Sequence, residues 1–109
     1  MLNVAVVDDE EKERAHLSRL LTRYAQAKGE KFRTVPFEGG VQFLTGYQAD
    51  SFDMVFMDVD MPGLDGFATA RKLREHDSSV VLIFVTNLAR YAIKGYEVDA
   101  LDYLLKPHR

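Results

Sequence analysis

The chain has 109 residues, no cysteine and a formal charge of −3, which fits one domain of ordinary size and excludes a disulfide framework or a thiolate metal site. Apolar residues at 47 % and charged residues at 28 % match a globular chain with a real core. The mild acidity argues against non-specific nucleic-acid binding by the chain as a whole.

The opening "MLNVAVVDDEEKER" is apolar and then turns acidic, so neither a signal peptide nor a membrane span is expected, and an intracellular home is the natural expectation. "LNVAVV" (2–7) predicts a first strand, ending in Asp8, Asp9 and Glu10. A helix follows, with Leu17, Leu20, Leu21 and Tyr24 recurring at i, i+3, i+4 and i+7 and Gly29 as its stop. "KFRTVPF" (31–37) alternates and carries Pro36, which removes a ladder donor and marks an edge strand. A short helix is expected around Val41, Leu44 and Tyr47, and "DMVFMD" (53–58) gives the third strand. Asp65 is placed to cap a helix running to about His76, with Phe67, Ala70 and Leu73 inward. "VVLIFVT" (80–86) is the fourth strand, a short helix is expected over 89–96, and "ALDYLL" (100–105) is the fifth strand.

Four of the five strands are nearly continuous apolar strings, as in parallel sheets covered on both faces. The alternation of strands and helices predicts an α/β domain with a parallel sheet and right-handed crossovers. Such a sheet normally adds a helix after its last strand, whereas this sequence stops at "LLKPHR". Right-handed winding would set that helix beside the first one. Without it, apolar residues of the central strands are expected to be exposed, implying a truncated chain or a face covered by another copy, for instance by domain exchange.

In parallel α/β sheets ligands sit beyond the carboxyl ends of the strands, which draws attention to the residues found there. If the first and third strands are neighbours, Asp8, Asp9 and Asp58 converge, and three carboxylates repel unless a hard cation joins them. Carboxylates, a backbone carbonyl and water suit Mg²⁺ or Mn²⁺. Lys106 and Thr86 would enter from the opposite side as a point charge and a hydroxyl donor. Acids with a cation on one side, and lysine with a hydroxyl on the other, suit a phosphoryl group. A carboxylate can itself be the nucleophile, giving an aspartyl phosphate.

"VVDDE", "MDVDMPGLDG" with its Asp-x-x-Met-Pro-x-x-Asp-Gly spacing, "FVTN" and "DYLLKP" occur in that order, each at a predicted strand end. With these four segments the sequence resembles the receiver domain of two-component response regulators, over the whole of residues 1–109 except the missing last helix. The tail "YAIKGYEVDALDYLLKP" is most similar to receivers that work with a LytTR-type DNA-binding domain. The resemblance implies a flavodoxin-like, doubly wound, five-stranded parallel sheet in the order 2-1-3-4-5. It also implies that Asp58 is the phosphoacceptor and that Mg²⁺ is held by Asp8, Asp9, Asp58 and the backbone carbonyl of Asp60. Thr86 and Lys106 would contact the phosphoryl oxygens, and Tyr103 would be an aromatic switch coupled to Thr86. The Lys106–Pro107 bond would be cis. The implied partners are a sensor histidine kinase and, through an effector domain outside these residues, DNA. No membrane partner is implied, and the location would be cytoplasmic.

Plainer roles stand beside these. Asp8 and Asp9 could simply cap the first helix, Asp65 suits a cap better than a ligand, and Tyr103 could be ordinary core. His16, His76 and His108 have no metal-site spacing and are expected on the surface, while Met54, Met57 and Met61 suit core and turn packing. "DVD" also resembles the Asp-x-Asp motif of haloacid-dehalogenase-like phosphatases, but there the nucleophile usually follows the first strand of a longer chain. A pseudo-receiver that binds partners without phosphorylation is the third reading. Asn87 departs from the Ala, Gly or Ser usual in receivers. Its larger side chain is expected to narrow access to the phosphoryl group or alter its hydrolysis. Equal dephosphorylation of wild type and Asn87→Ala would remove that idea.

Overall fold

The computed structural model describes residues 1–86, 99–100 and the strand 102–105. Five strands, β1 (Leu2–Val7), β2 (Phe32–Phe37), β3 (Met54–Met57), β4 (Val81–Thr86) and β5 (Asp102–Leu105), form one sheet in the order β2-β1-β3-β4-β5. Every pairing is parallel. The helices α1 (Glu11–Ala27), α2 (Gly40–Leu44) and α3 (Gly66–His76) connect the first four strands. The expected fold class and strand order are therefore found. Pro36 lies in β2, whose only partner among the described residues is β1, as the loss of a ladder donor requires. The expected helix over 89–96 lies outside the described residues. Among the described residues no helix is long and apolar enough to cross a membrane.

The period of two along the central strands sorts their side chains onto two faces. Ala5, Val7, Val55, Met57, Leu82 and Phe84 pack with Phe43 of α2 and with Phe67, Ala70 and Leu73 of α3. Val4, Val6, Phe56 and Ile83 face Leu17 and Leu21 of α1 on the other side. On that second face Met54, Val81 and Val85 are only half-buried.

Two helices turn differently from the pattern expected. The buried stripe of α1 runs through Leu21 and Ala25, and Leu20 and Tyr24 are exposed. The helix lies over β1 and β2, so it buries a narrow stripe and leaves its flanks to solvent. In α2, Phe43 is buried and Val41 exposed, while Tyr47 lies beyond the helix end. In this five-residue helix one large side chain is fully buried, while Leu44 is half-buried against the same core. The buried place goes to Phe43, whose ring meets Phe37 and Tyr47 at 5.3 and 5.2 Å.

Asp65 is the N-cap of α3, its side chain accepting from the Ala68 N–H at 2.8 Å. Replacing it with alanine is expected to cost about 1 kcal/mol of stability, measurable by chemical denaturation. At the other end of α3, the carboxylate of Asp77 is buried and gathers five donors. Oδ1 accepts from the Ser79 and Val80 N–H groups and the Ser79 hydroxyl, and Oδ2 from the Tyr47 hydroxyl and the Asp50 N–H. Arg74 ties the same corner to the carbonyls of Val80 and Asp99. These bonds fix the amino-terminal edge of β4 and leave the carboxyl edge of the sheet free for chemistry.

Candidate functional site at the carboxyl edge of the sheet

Because β1 and β3 are hydrogen-bonded neighbours, their ends leave the sheet side by side. The Asp58 N–H donates to the Val7 carbonyl at 2.9 Å, and the Asp8 N–H to the Phe37 carbonyl at 3.1 Å. The ladder is thus prolonged by one residue at each strand, placing Asp8 between β2 and the Asp58 loop. Asp8 and Asp58 are each 5 % exposed, and Asp9 is open to solvent. One carboxylate oxygen from each of the three lies within 4.8 Å of the others.

Asp8 has local tasks as well. Its Oδ1 accepts from the Glu10 N–H at 2.9 Å, bracing the entry to α1, whose own N-cap Glu10 makes no side-chain cap. Asp8 is therefore not the cap of α1 that the sequence suggested: it braces the turn ahead of the helix, bonding the N–H of the N-cap residue and none of the first-turn N–H groups. Its main-chain carbonyl accepts from Arg14 Nη1 at 2.6 Å, a contact the sequence pattern did not reveal.

The loop after Asp58 is folded tightly on itself. The Gly66 and Met61 N–H groups both donate to the Val59 carbonyl, at 2.9 and 3.2 Å. Pro62 presets the turn, and Gly63 takes φ +77°, the value demanded after proline in a type II turn. Gly66 lies against the strand exit so closely that a Cβ there would stand 2.1 Å from the Asp58 carbonyl oxygen and 2.8 Å from Val59 Cα. Asp60 has an exposed side chain on this loop. Met57 and Met61 are buried and Met54 half-buried, as packing residues.

Thr86 ends β4 and is fully buried. Met57 pairs with Phe84, so Thr86 lies two residues past that pairing, at the same edge as the Asp58 loop. Leu105 pairs with Thr86, and Tyr103 with Phe84, which places Tyr103 in β5. The Tyr103 side chain, Asn87, Lys106, the Lys106–Pro107 bond and His108 lie outside the described residues. His76 is exposed, whereas His16 is half-buried.

Three clustered carboxylates form a hard-oxygen donor set of the kind that suits Mg²⁺ or Mn²⁺.

Comparison with known proteins agrees with this arrangement. The family model described as response regulator receiver domain matches residues 4–109. The sensory transduction protein LytT of Oceanobacillus iheyensis is 32 % identical over 108 residues, 97 % of this chain and 42 % of its own length. The chain thus spans about two fifths of that relative. The response regulatory domain of MrkE from Klebsiella pneumoniae has a TM-score of 0.80 at 27 % identity, over 99 % of this chain and 85 % of that one. TrrA from Thermotoga maritima, solved in complex with Mg²⁺ and a beryllofluoride, has a TM-score of 0.71 at 25 % identity, covering 100 % and 90 %. The chain belongs to the response regulator receiver domains of two-component signalling, phosphorylation-dependent switches rather than turnover enzymes.

Proposed function

We infer that residues 1–109 act as the receiver of a longer response regulator and that Asp58 is the residue phosphorylated. The observation that carries this reading is the meeting of Asp8, Asp9 and Asp58 at the ends of two adjacent strands. A sensor histidine kinase presents a phosphohistidine. An Asp58 carboxylate oxygen forms a bond to phosphorus as the phosphorus–nitrogen bond breaks, and the electron pair returns to the imidazole, which takes up a proton. The domain catalyses this transfer, and the later hydrolysis of its own acyl phosphate, on itself. Asp8, Asp9, Asp58 and the Asp60 carbonyl would hold Mg²⁺, or Mn²⁺ in its place, and a cation there would supply charge to offset that of the phosphoryl oxygens.

Thr86 donates to one phosphoryl oxygen and Lys106 pairs with another. Movement of Thr86 toward the phosphate shifts the population toward an inward Tyr103, changing the surface offered by the β4–β5 side. The output is a LytTR-type DNA-binding domain outside these residues, a reading supported by the LytT relative and by the tail of the sequence. The setting is cytoplasmic, and the half-buried face beside α1 is covered by another segment or a second copy. Sedimentation over a range of concentrations tests the second copy, which a concentration-independent monomer would exclude.

The decisive experiment mixes the protein with Mg²⁺ and acetyl phosphate and takes intact masses. Wild type is expected to gain one phosphoryl group and Asp58→Asn none. Folded wild-type protein that binds Mg²⁺ yet stays unmodified would instead mark a pseudo-receiver.

A further inference from the structure

The acidic cluster stands on two arms, and one turn of the chain touches both. The Asp8 arm is tied to the end of β2, where the Phe37 carbonyl accepts from the Asp8 N–H. Only Glu38 and Gly39 separate Phe37 from Gly40, the buried first residue of α2. A Cβ on Gly40 would collide with the Thr69 hydroxyl and stand 3.1 Å from the Leu64 carbonyl oxygen and 3.2 Å from Thr69 Cβ. Leu64 lies in the loop that follows Asp58, and Thr69 is fully buried in the first turn of α3. The main chain of α2 therefore rests against the Asp58 arm at an approach that only glycine allows.

Neither side of this contact yields without consequence. Thr69 is fixed by its hydroxyl on the Asp65 carbonyl at 2.7 Å, and Ala70 and Leu73 of the same helix are in the core. On the other side Phe43 anchors α2 among the rings of Phe37 and Tyr47. A methyl wedged into a filled contact displaces what surrounds it. Displacement of α2 draws on Phe37 and through it on Asp8, whereas displacement of Leu64 draws on the Asp58 loop. Both change the spacing of the two arms.

We propose that Gly40 is a positioning residue for the cation site, setting the separation of the Asp8 and Asp58 arms through the contact of α2 with Leu64 and Thr69. It acts through those arms and touches no carboxylate of the cluster itself. The proposal rests on reading the cluster as a Mg²⁺ site. Mg²⁺ demands a near-ideal octahedral shell, while Ca²⁺ accepts a looser one, so altered spacing should show as altered selectivity.

Calorimetric titration of Mg²⁺ and of Ca²⁺ tests it, at a temperature where circular dichroism shows each variant folded. Gly40→Ala is expected to bind Mg²⁺ about tenfold more weakly than wild type, as when an outer support of a metal site is lost, and to lose less for Ca²⁺. Thr69→Ala removes the hydroxyl that the new methyl would strike, so Gly40→Ala with Thr69→Ala should recover most of the Mg²⁺ affinity. Gly40→Ala with Thr69→Ser, which keeps the hydroxyl, should not. Thr69→Val sets a methyl where the hydroxyl meets Gly40; it presses the same contact more gently and should weaken Mg²⁺ binding in the same direction. Folded Gly40→Ala and Thr69→Val proteins with wild-type Mg²⁺ affinity would overturn the positioning role and leave the site reading intact. Equal losses for the two ions, or no recovery in the double variant with Thr69→Ala, would overturn it as well. A wild type that binds no Mg²⁺ would overturn both.

Discussion

Asp77→Ala is expected to remove about 3 kcal/mol of stability, because five donors that now meet one charged carboxylate would lose it together, the buried Val80 N–H with least access to water and the others only part-buried. For a domain of this size that is a fall of about 10–15 °C in melting temperature. Asp77→Asn should lose less. An amide oxygen in place of Oδ1 still serves Ser79 and Val80, while the amide nitrogen cannot accept from the Tyr47 hydroxyl and the Asp50 N–H. Asp50 also sits at φ +66°, a conformation that needs support from its surroundings. Thermal denaturation of the two variants should therefore rank them with alanine lower, and equal losses would mean that the Oδ1 bonds contribute little.

The same corner gives a pH dependence with a definite sign. Burial by itself would raise the Asp77 pKa, but the bonds from Tyr47, Ser79, Asp50 and Val80 outweigh it and hold the carboxyl at about 2, below its ordinary 3.8. A depressed pKa in the folded state means stability that is fully present above the unfolded value and is lost as pH falls through the folded one. Acid weakening should therefore set in below about pH 4 and run toward pH 2. Tyr47→Phe removes one of these donors and brings the folded value back toward the ordinary one, so its acid-dependent loss should be smaller than that of wild type and be complete at higher pH. The Tyr47 hydroxyl is pushed well above the usual phenol range, by burial first and by its bond to Asp77 second.

Gly66→Ala is the second large effect expected, and its consequence reaches the site. The new methyl would meet the Asp58 carbonyl and Val59 Cα, both main chain, so no flexible side chain can yield. Alanine is the better helix former by about 1 kcal/mol, and overpacking costs about 1–3 kcal/mol or more. The clash should win, with a net loss of about 1–2 kcal/mol. The larger change should be functional. The β3–α3 loop must open at Asp58 itself, so phosphoryl gain from acetyl phosphate should fall well beyond the fraction unfolded. A variant that labels as fast as wild type would show that Asp58 tolerates the shift.

Sequence patterning alone determined the alternation of the described elements, the burial of β1, β3 and β4, the edge position of β2 and the cap at Asp65. These rest on local chemistry: apolar strings, a proline without a donor, and a short acid three residues ahead of an N–H. It also named the acids that converge, since the parallel α/β rule places ligands at strand ends. Tertiary structure decided what depends on residues distant in sequence. The inward face of α1 was misplaced because Leu20 and Tyr24 satisfy helical periodicity as well as Leu21 and Ala25 do, and only the sheet underneath selects between them. The Asp77 corner joins residues 27 and 30 positions apart, beyond any local pattern. Arg14 acquires its partner only because the chain turns at Asp8 into α1, and Gly66 its constraint only because the loop returns to the strand it left. Periodicity reports which side chains can share a face; long-range packing decides which face is covered and which main-chain atoms come into contact.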